Sequence, residues 1–428
     1  MRLSRVKCLV MFMLLATFML GSACAERIAN KVTIRKEDHG ILVNGKPFFP
    51  IGAYRTQQHI KDESGKALKA VRKMGFNTIF FHGGIDSEPE LDRVAKAGLY
   101  VWWRHNLMYS APQLKELIKK FRSHPALLFW EMDDEPVVNQ FDYKKCAMSY
   151  KTLKKADPYH PLLIVDYPYF DVPKRNRQLK KWTKICDIYC FDHYPVALRR
   201  WEPWLPNMPK DWPYSIAIIG VLVDYWQSLA PGKPVFVVLQ AFSDTGKEGY
   251  PSYIQSRFMA YNAVIHGANG LFYWPGPPMS TLSRPAPTGE HQEDDSVRFW
   301  SYLQLVTKEL AEMAPVFAAP DAKWKPEVGI LGDSLVKQKE IECKVKQVGD
   351  TAVILMTNIS DFPAQIKVTA PEFAGTEARE NVQCWYEPHM LAVDEKGVFS
   401  DRIDPYEVKI YSIAPQAEML KRIAQRKK

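Results

Sequence analysis

The stretch Phe129-Trp130-Glu131-Met132-Asp133-Asp134-Glu135-Pro136 sets four carboxylates within five residues, directly behind the apolar run Ala126-Leu127-Leu128. That run has the length of a buried strand, and ionised carboxylates cannot follow it into a core without partners. The strand therefore ends here and delivers its acids to a cleft. Seven other apolar runs end on polar or aromatic residues in the same way: Arg55, His82, Trp103 with Arg104, Asp166, Asp192 with His193 and Tyr194, Gln240, and Trp274. Carboxylates can pass a proton to an oxygen. Arg, His and Gln can hydrogen-bond hydroxyls, and aromatic faces can stack on the apolar faces of a pyranose ring. A polyhydroxylated ligand suits this set of side chains.

The elements that must position these residues alternate along the chain. Helical patterns over residues 66–74, 88–97, 112–121, 142–155, 177–185, 214–229 and 253–265 separate the eight apolar runs, and a long helix over 296–313 closes the series. Apolar strands alternating with helices predict a parallel sheet buried on both faces. Eight units over this length favour a closed (β/α)8 TIM barrel, whose site lies at the C-terminal ends of its strands. No Gly-rich phosphate loop follows the first strand, against an open nucleotide-binding sheet. The expected organisation is a signal peptide over 1–25, an N-terminal β-hairpin over 26–45, the barrel over 46–318, a small C-terminal antiparallel β-sandwich over 319–414 and a basic tail over 415–428. Carbohydrate binding is one option for the sandwich, and packing is the default.

Residues 40–317 resemble the large superfamily of (β/α)8 retaining glycoside hydrolases that includes β-galactosidases, β-mannanases and cellulases. The residues that carry the resemblance are Val43-Asn44-Gly45-Lys46-Pro47-Phe48 entering the first strand, Trp130 with Asp134-Glu135-Pro136 at the fourth, Asp192-His193-Tyr194-Pro195 at the sixth, and Trp274 at the eighth. The resemblance implies that Glu135 is the general acid/base, that Asp134 stands where an asparagine contacts the sugar 2-hydroxyl, and that Trp274 is a stacking platform. Arg55, His82, Trp103, Arg104, Asp166, Asp192, His193, Tyr194 and Gln240 are then expected to line the sugar site.

The sequence departs from that superfamily at the end of the seventh strand, where Gln240 replaces the nucleophilic glutamate. An amide cannot form the usual glycosyl-enzyme, and a glycosidase needs two carboxylate roles or a substitute for one. Three readings follow. Another acid serves, from Asp166, Asp192, Asp244 or Glu248. Alternatively, Asp134-Glu135 acts like the Asp-Glu pair of β-N-acetylhexosaminidases on a 2-acetamido sugar. In the third, the barrel binds glycans without cleaving them. No cofactor is expected. His82, His105 and His193 do not form a metal-binding spacing, so no metal is expected either. Tyr167 and Tyr169 add aromatic faces at a strand end, and the loop 198–212, with Trp201, Trp204 and Trp212, is expected to wall or cover the mouth.

Composition bounds the partners. Arg2, Arg5 and Lys7 precede an apolar run that ends near Ala23-Cys24-Ala25, an export signal with cleavage after Ala25. A lipid anchor at Cys24 is the minority alternative. The product is therefore expected to be secreted or periplasmic, with no later run long enough to span a membrane. The net charge of +9 concentrates in the signal and the tail, which leaves the body nearly neutral and gives no case for nucleic acid. Of the cysteines that remain after export, Cys343 and Cys384 are expected to pair as a disulfide in an oxidising compartment.

Overall fold

The computed structural model describes residues 29–105, 109–167, 173–196, 215–243, 249–279, 295–374 and 381–413. The expected signal, Cys24, Tyr169, the loop 198–212 with its three tryptophans, Asp244, Glu248 and the basic tail lie outside the described residues. Strands β1 (Val32–Ile34), β2 (Ile41–Val43) and β3 (Lys46–Phe48) form an antiparallel sheet. Asn44 and Gly45 take φ of 52° and 77° at its second turn. These are the left-handed conformations that a tight hairpin requires and that Asn-Gly supplies. Because Lys46, Pro47 and Phe48 pair with Val43, Leu42 and Ile41, this sheet runs through Phe48.

Eight parallel strands then close into a barrel: β4 (Ile51–Ala53), β5 (Thr78–Phe81), β6 (Tyr100–Arg104), β7 (Leu127–Glu131), β8 (Leu162–Asp166), β9 (Ile188–Asp192), β10 (Val235–Gln240) and β11 (Gly270–Trp274). Each pairs with its neighbours in sequence order, and β11 closes the ring against β4. Helices separate the strands where the amphipathic pattern predicts them, and three of them have side-chain N-caps. Ser110 with Gln113 and Ser252 with Gln255 form reciprocal capping boxes, and the Asp142 side chain accepts from the Lys144 N–H.

The two-residue period of the strands sorts their side chains into two layers. Trp102, Phe129, Leu163, Val165, Ile188, Cys190, Phe236, Val238 and Phe272 fill the barrel interior, whereas Val101, Trp103, Trp130, Leu162, Ile164, Val237, Leu239 and Leu271 pack outward in the larger core with the helices. The interior is unusually aromatic. Trp102 stacks on Phe272 at 4.1 Å with planes 5° apart. A Cβ at Gly52 would come within 2.3 Å of the Phe272 ring, so only glycine admits this stack.

The helix Asp295–Phe317 leads into the C-terminal domain. Strands β12 (Glu327–Leu331), β13 (Ile341–Val348), β14 (Thr351–Asn358), β15 (Ala364–Thr369), β16 (Val382–Cys384), β17 (Met390–Leu391), β18 (Val398–Ile403) and β19 (Val408–Ser412) form two antiparallel sheets, in the orders β12-β15-β18 and β13-β14-β19-β16-β17. This is the expected sandwich-like architecture, with its own apolar core. Only β14, β15 and β19 were apparent from hydropathy, because β13 and β18 interleave Lys344, Lys346, Ser400 and Arg402 with their core residues.

The expected Cys343–Cys384 disulfide is not formed, and both thiols are free. Cys343 lies on β13 and Cys384 on β16, with β14 and β19 between them. At about 4.8 Å per strand they stand roughly 14 Å apart, twice the reach of a disulfide.

The two domains meet across polar contacts. Arg257 donates to Glu309 at 2.9 Å and to the Val408 carbonyl at 2.9 Å. His266, at the C-terminal end of the helix Tyr253–Ile265, lies 2.8 Å from Asp224 and 2.9 Å from Glu342. Burial would lower the His266 pKa, but the two carboxylates outweigh it and hold the imidazole up at about 9. Its folded pKa thus lies above its ordinary value, so its stabilising effect is complete below about pH 6.5 and is lost as pH rises through about 9. The melting temperature of the native protein is therefore expected to fall between pH 7 and 10 more steeply than that of His266→Gln, measured by differential scanning fluorimetry. Parallel pH curves would contradict the charged clamp.

Candidate active site

Arg104, Glu131, Asp192, Gln240 and Trp274 each lie two residues beyond an interior side chain of their own strand, so the strand period turns them over the top of the barrel. The first two are neighbours because β6 and β7 pair in parallel with Arg104 opposite Glu131, after a register shift at Val101/Trp102. Arg104 donates to Glu131 Oε1 from Nε at 3.0 Å and from Nη2 at 2.7 Å, and Nη2 also reaches Asp134 Oδ1 at 2.7 Å. Its guanidinium lies 4.7 Å over the Phe80 ring. Burial would lower its pKa, but Glu131, Tyr54 and Asp134 together raise it, so Arg104 stays charged. Burial pushes the fully enclosed Glu131 carboxyl up to about 7 against the pull of Arg104.

Asp133 accepts the backbone N–H of Asp134 at 2.9 Å. The chain then turns at Glu135, whose φ of 41° is a left-handed value rare for a side chain of this kind. Such a conformation is held only where the surroundings over-determine it. Glu135 is half-buried. Its carbonyl accepts from the Asn139 N–H at 2.8 Å, so the turn is closed from within.

The strand-end acids Asp166 and Asp192 face this turn from β8 and β9, and they differ in role. Asp166 shares the outward parity of Leu162 and Ile164, and its carboxylate accepts the backbone N–H of Tyr167 at 3.0 Å and of Val137 at 3.3 Å. It ties the Glu135-Pro136-Val137 loop to β8. Asp192 continues the inward series Ile188, Cys190. Burial pushes its carboxyl well above the usual carboxylate range, the charges of Glu135 and Asp134 push it further, and a hydrogen bond with Tyr194 pulls it back. Its Oδ1 has no hydrogen-bond partner among the described residues. Burial and the neighbouring charge of Glu135 thus favour the neutral form of Asp192, and the same two causes raise Asp166. His105, by contrast, is driven down to about 4 by burial and is neutral at physiological pH.

Gln240 is also buried, and its amide is fully engaged. Oε1 accepts from the Val196 N–H at 3.0 Å, while Nε2 donates to the carbonyls of Phe242 at 3.0 Å and Gly249 at 3.4 Å. The side chain clamps the loops after β9 and β10. This explains why an amide occupies the position: a carboxylate would turn oxygen toward two carbonyl oxygens. Gln240→Glu is therefore expected to destabilise the protein by about 2–4 kcal/mol and to yield no gain in turnover. Chemical denaturation and rate assays check both.

The remaining strand-end residues divide. Trp274 is half-buried, and Arg55 lies with its guanidinium 4.5 Å over the Trp274 ring. Both Arg55 and His82 are exposed at the mouth. His193 and Tyr194 are buried, with Tyr194 edge-on to Phe242 and the His193 ring 6.0 Å from Tyr167. Trp103 is a correction. It is fully buried against Phe81, Phe121 and Trp130 in the outward layer, so it supports the helices and does not line a sugar site. Its neighbour Trp102 points inward. Tyr54 was missed. It is buried at the centre of the ring with its hydroxyl unpaired among the described residues, edge-on to Trp102 and Trp274, and the pattern Gly52-Ala53-Tyr54 offered only its parity as a signal.

Among the described residues, the one cluster of side chains spaced to hold a metal ion is Cys384, His389 and Asp401 in the C-terminal domain. There the Lys409 ammonium already lies 2.7 Å from Glu387 and 3.6 Å from Asp401. No described helix is long and apolar enough to cross a membrane.

No protein-family model matches the sequence, and no curated protein matches it. Solved structures do. A glycoside hydrolase family 5 protein from Bacteroides vulgatus ATCC 8482 superposes with a TM-score of 0.61 at 15% identity, over 90% of this chain and 95% of that one. A family 42 β-galactosidase from G. stearothermophilus superposes with a TM-score of 0.51 at 9% identity, over 86% and 98% of the two chains. The chain therefore has the fold of these glycoside hydrolases, a (β/α)8 barrel followed by a β-sandwich-like domain.

Proposed function

We propose that this chain is an exported glycoside hydrolase that cleaves O-glycosidic bonds of an oligo- or polysaccharide, with Glu135 as general acid/base and Asp192 as the second carboxylate. The observation that carries this reading is the pairing at the mouth. The half-buried Glu135 lies close enough to the buried Asp192 for its charge to raise that carboxyl's pKa, as it also does for Asp166. A proton on Asp192 leaves Glu135 ionised, so for Glu135 to act as the acid that proton must pass to it once substrate is bound, leaving Asp192 as the carboxylate. Arg104, neutralised by Glu131 and Asp134, fixes the segment that carries Glu135. Trp274 and Tyr54 provide the aromatic floor.

We assign to Asp192 the role that Gln240 cannot play. Of the two described acids among the four named as substitutes, Asp166 is committed to backbone N–H groups, which favours Asp192; Asp244 and Glu248 lie outside the described residues. The reading based on 2-acetamido sugars loses support because Asp134, which would orient the acetamido group, is bound to Arg104 at 2.7 Å. The binding-only reading draws on Gln240 itself, whose amide is structural here.

Turnover decides between hydrolase and binding module. The full-length mature protein is expected to release reducing sugar or aglycone from at least one member of a panel of plant and microbial polysaccharides and aryl glycosides. Saturable binding to a glycan with no release from any panel member would overturn the enzymatic reading.

A further inference from the structure

The cations at the mouth are unequally used. Arg104 spends three donor contacts on Glu131 and Asp134, whose carboxylates offset its charge. Arg55, at the end of β4, has no carboxylate and no carbonyl acceptor among the described residues, and its side chain is exposed. It is nevertheless not a loosely placed surface arginine. Its guanidinium carbon stands 4.5 Å over the centre of the Trp274 indole, a cation–π contact that restrains the side chain.

The backbone supports the same conclusion. Arg55 takes φ of 51°, a conformation that an L side chain adopts at some cost and that persists where flanking contacts impose it. On one side the Tyr54 N–H bonds the Tyr273 carbonyl at 3.1 Å. On the other the Thr56 hydroxyl donates to the Phe80 carbonyl at 2.8 Å. Close packing adds a third restraint: a Cβ at Gly276 would lie 1.9 Å from the Tyr54 carbonyl oxygen, so the loop after β11 presses directly on this turn. Trp274 and Arg55 are thus held against each other from both strands. His82, exposed at the end of the adjacent β5, adds a second donor on the same side of the rim.

We propose that Arg55, stacked on Trp274, is a subsite for the carboxylate of an acidic sugar, so that the ligand of this barrel is a uronic-acid-containing glycan. The inference deepens the sugar-site reading and rests on it in taking the mouth as the place where glycans bind. The carboxyls of Glu131, Asp134, Glu135 and Asp192 gather on the β7–β9 side around the single guanidinium of Arg104, so that side offers an anionic substituent no net attraction. Arg55 and His82 occupy the β4–β5 side. A uronosyl residue satisfies both by turning its glycosidic oxygen to the acids and its carboxylate to the guanidinium, whose planar fork matches a carboxylate in two parallel hydrogen bonds.

The test is equilibrium binding by calorimetry to the mature protein carrying Glu135→Gln, which removes turnover from the measurement. The probes are oligogalacturonate, oligomannuronate and glucuronoxylan oligosaccharides, each beside its carboxyl-reduced neutral counterpart. At least one uronate is expected to bind about tenfold or more tighter than its reduced form, with a preference that weakens as salt rises. Adding Arg55→Ala is expected to erase that preference while leaving the affinity for the neutral form within about twofold. Arg55→Lys, which keeps the charge but not the fork, is expected to retain only part of it. Equal affinity for acidic and neutral forms, an Arg55→Ala loss shared by both, or no binding to any probe would overturn the proposal. The assay does not depend on catalysis: Arg55-dependent uronate binding in a wild-type protein that cleaves nothing would leave this subsite standing and remove the hydrolase reading. Cleavage of neutral glycosides alone would do the reverse.

Discussion

Asp192→Asn is expected to lower kcat on the responsive glycoside by about 10³-fold with little change in melting temperature. Burial pushes this carboxyl toward its neutral form, which an amide matches in charge and shape, so the substitution is expected to leave the fold undisturbed. Loss of the carboxyl removes the exchangeable proton of the Glu135–Asp192 pair. The basic limb of the pH–rate profile is expected to move with it, because that limb reports the proton the pair must retain. Asp166→Asn supplies the contrast. Asp166 is equally buried, but its two oxygens each accept a backbone N–H, from Tyr167 and Val137. An amide can satisfy one of those donors and turns its NH₂ on the other. That variant is expected to lose stability first, with activity following the folded fraction. Equal, stability-independent losses of kcat in both variants would remove the distinction between them.

The second large effect concerns the ion pair beneath the acids. Arg104→Met is expected to destabilise the protein by about 3–5 kcal/mol at pH 8, because it leaves Glu131 buried without its counter-charge. The loss should shrink in acid. Glu131 already has a folded pKa raised to about 7, so its contribution is fully present below its ordinary value near 4.5 and is lost as pH rises through about 7. Without Arg104 the folded value climbs further, and the cost of ionising the group falls entirely on the variant. Urea denaturation at pH 5 and pH 8 measures this. The double variant Arg104→Met with Glu131→Gln is expected to recover most of the difference at pH 8, and a pH-independent destabilisation would show that packing against Phe80, not charge, is what Arg104 contributes.

The strand ends were legible because an apolar run that stops on a polar residue is a strong local signal, and eight of them separated by amphipathic helices leave few architectures. The layer each end faces was less accessible. In a sheet buried on both sides, Trp102 and Trp103 are both apolar and both enclosed, so hydropathy cannot say which fills the barrel and which the helix layer. The same parity separates Asp166 from Asp192, two strand-end acids indistinguishable by sequence position. Which arginine meets which acid in the Arg104–Glu131–Asp134 triad depends on the register of β6 and β7, which no local pattern encodes. Gln240 was read as an empty nucleophile position because its partners, the backbone of Val196, Phe242 and Gly249, come from loops whose path no local pattern encodes.

The central claim is that the mouth acts on glycosidic bonds through Glu135, and the most direct measurement is kcat for wild type and Glu135→Gln on the same substrate. The amide preserves the side chain's length and its place in the left-handed turn, so the circular dichroism spectrum and melting temperature are expected to be unchanged. The account predicts a fall in kcat of about 10³-fold or more with glycan affinity retained. A Glu135→Gln protein that turns over within a few-fold of wild type would contradict it.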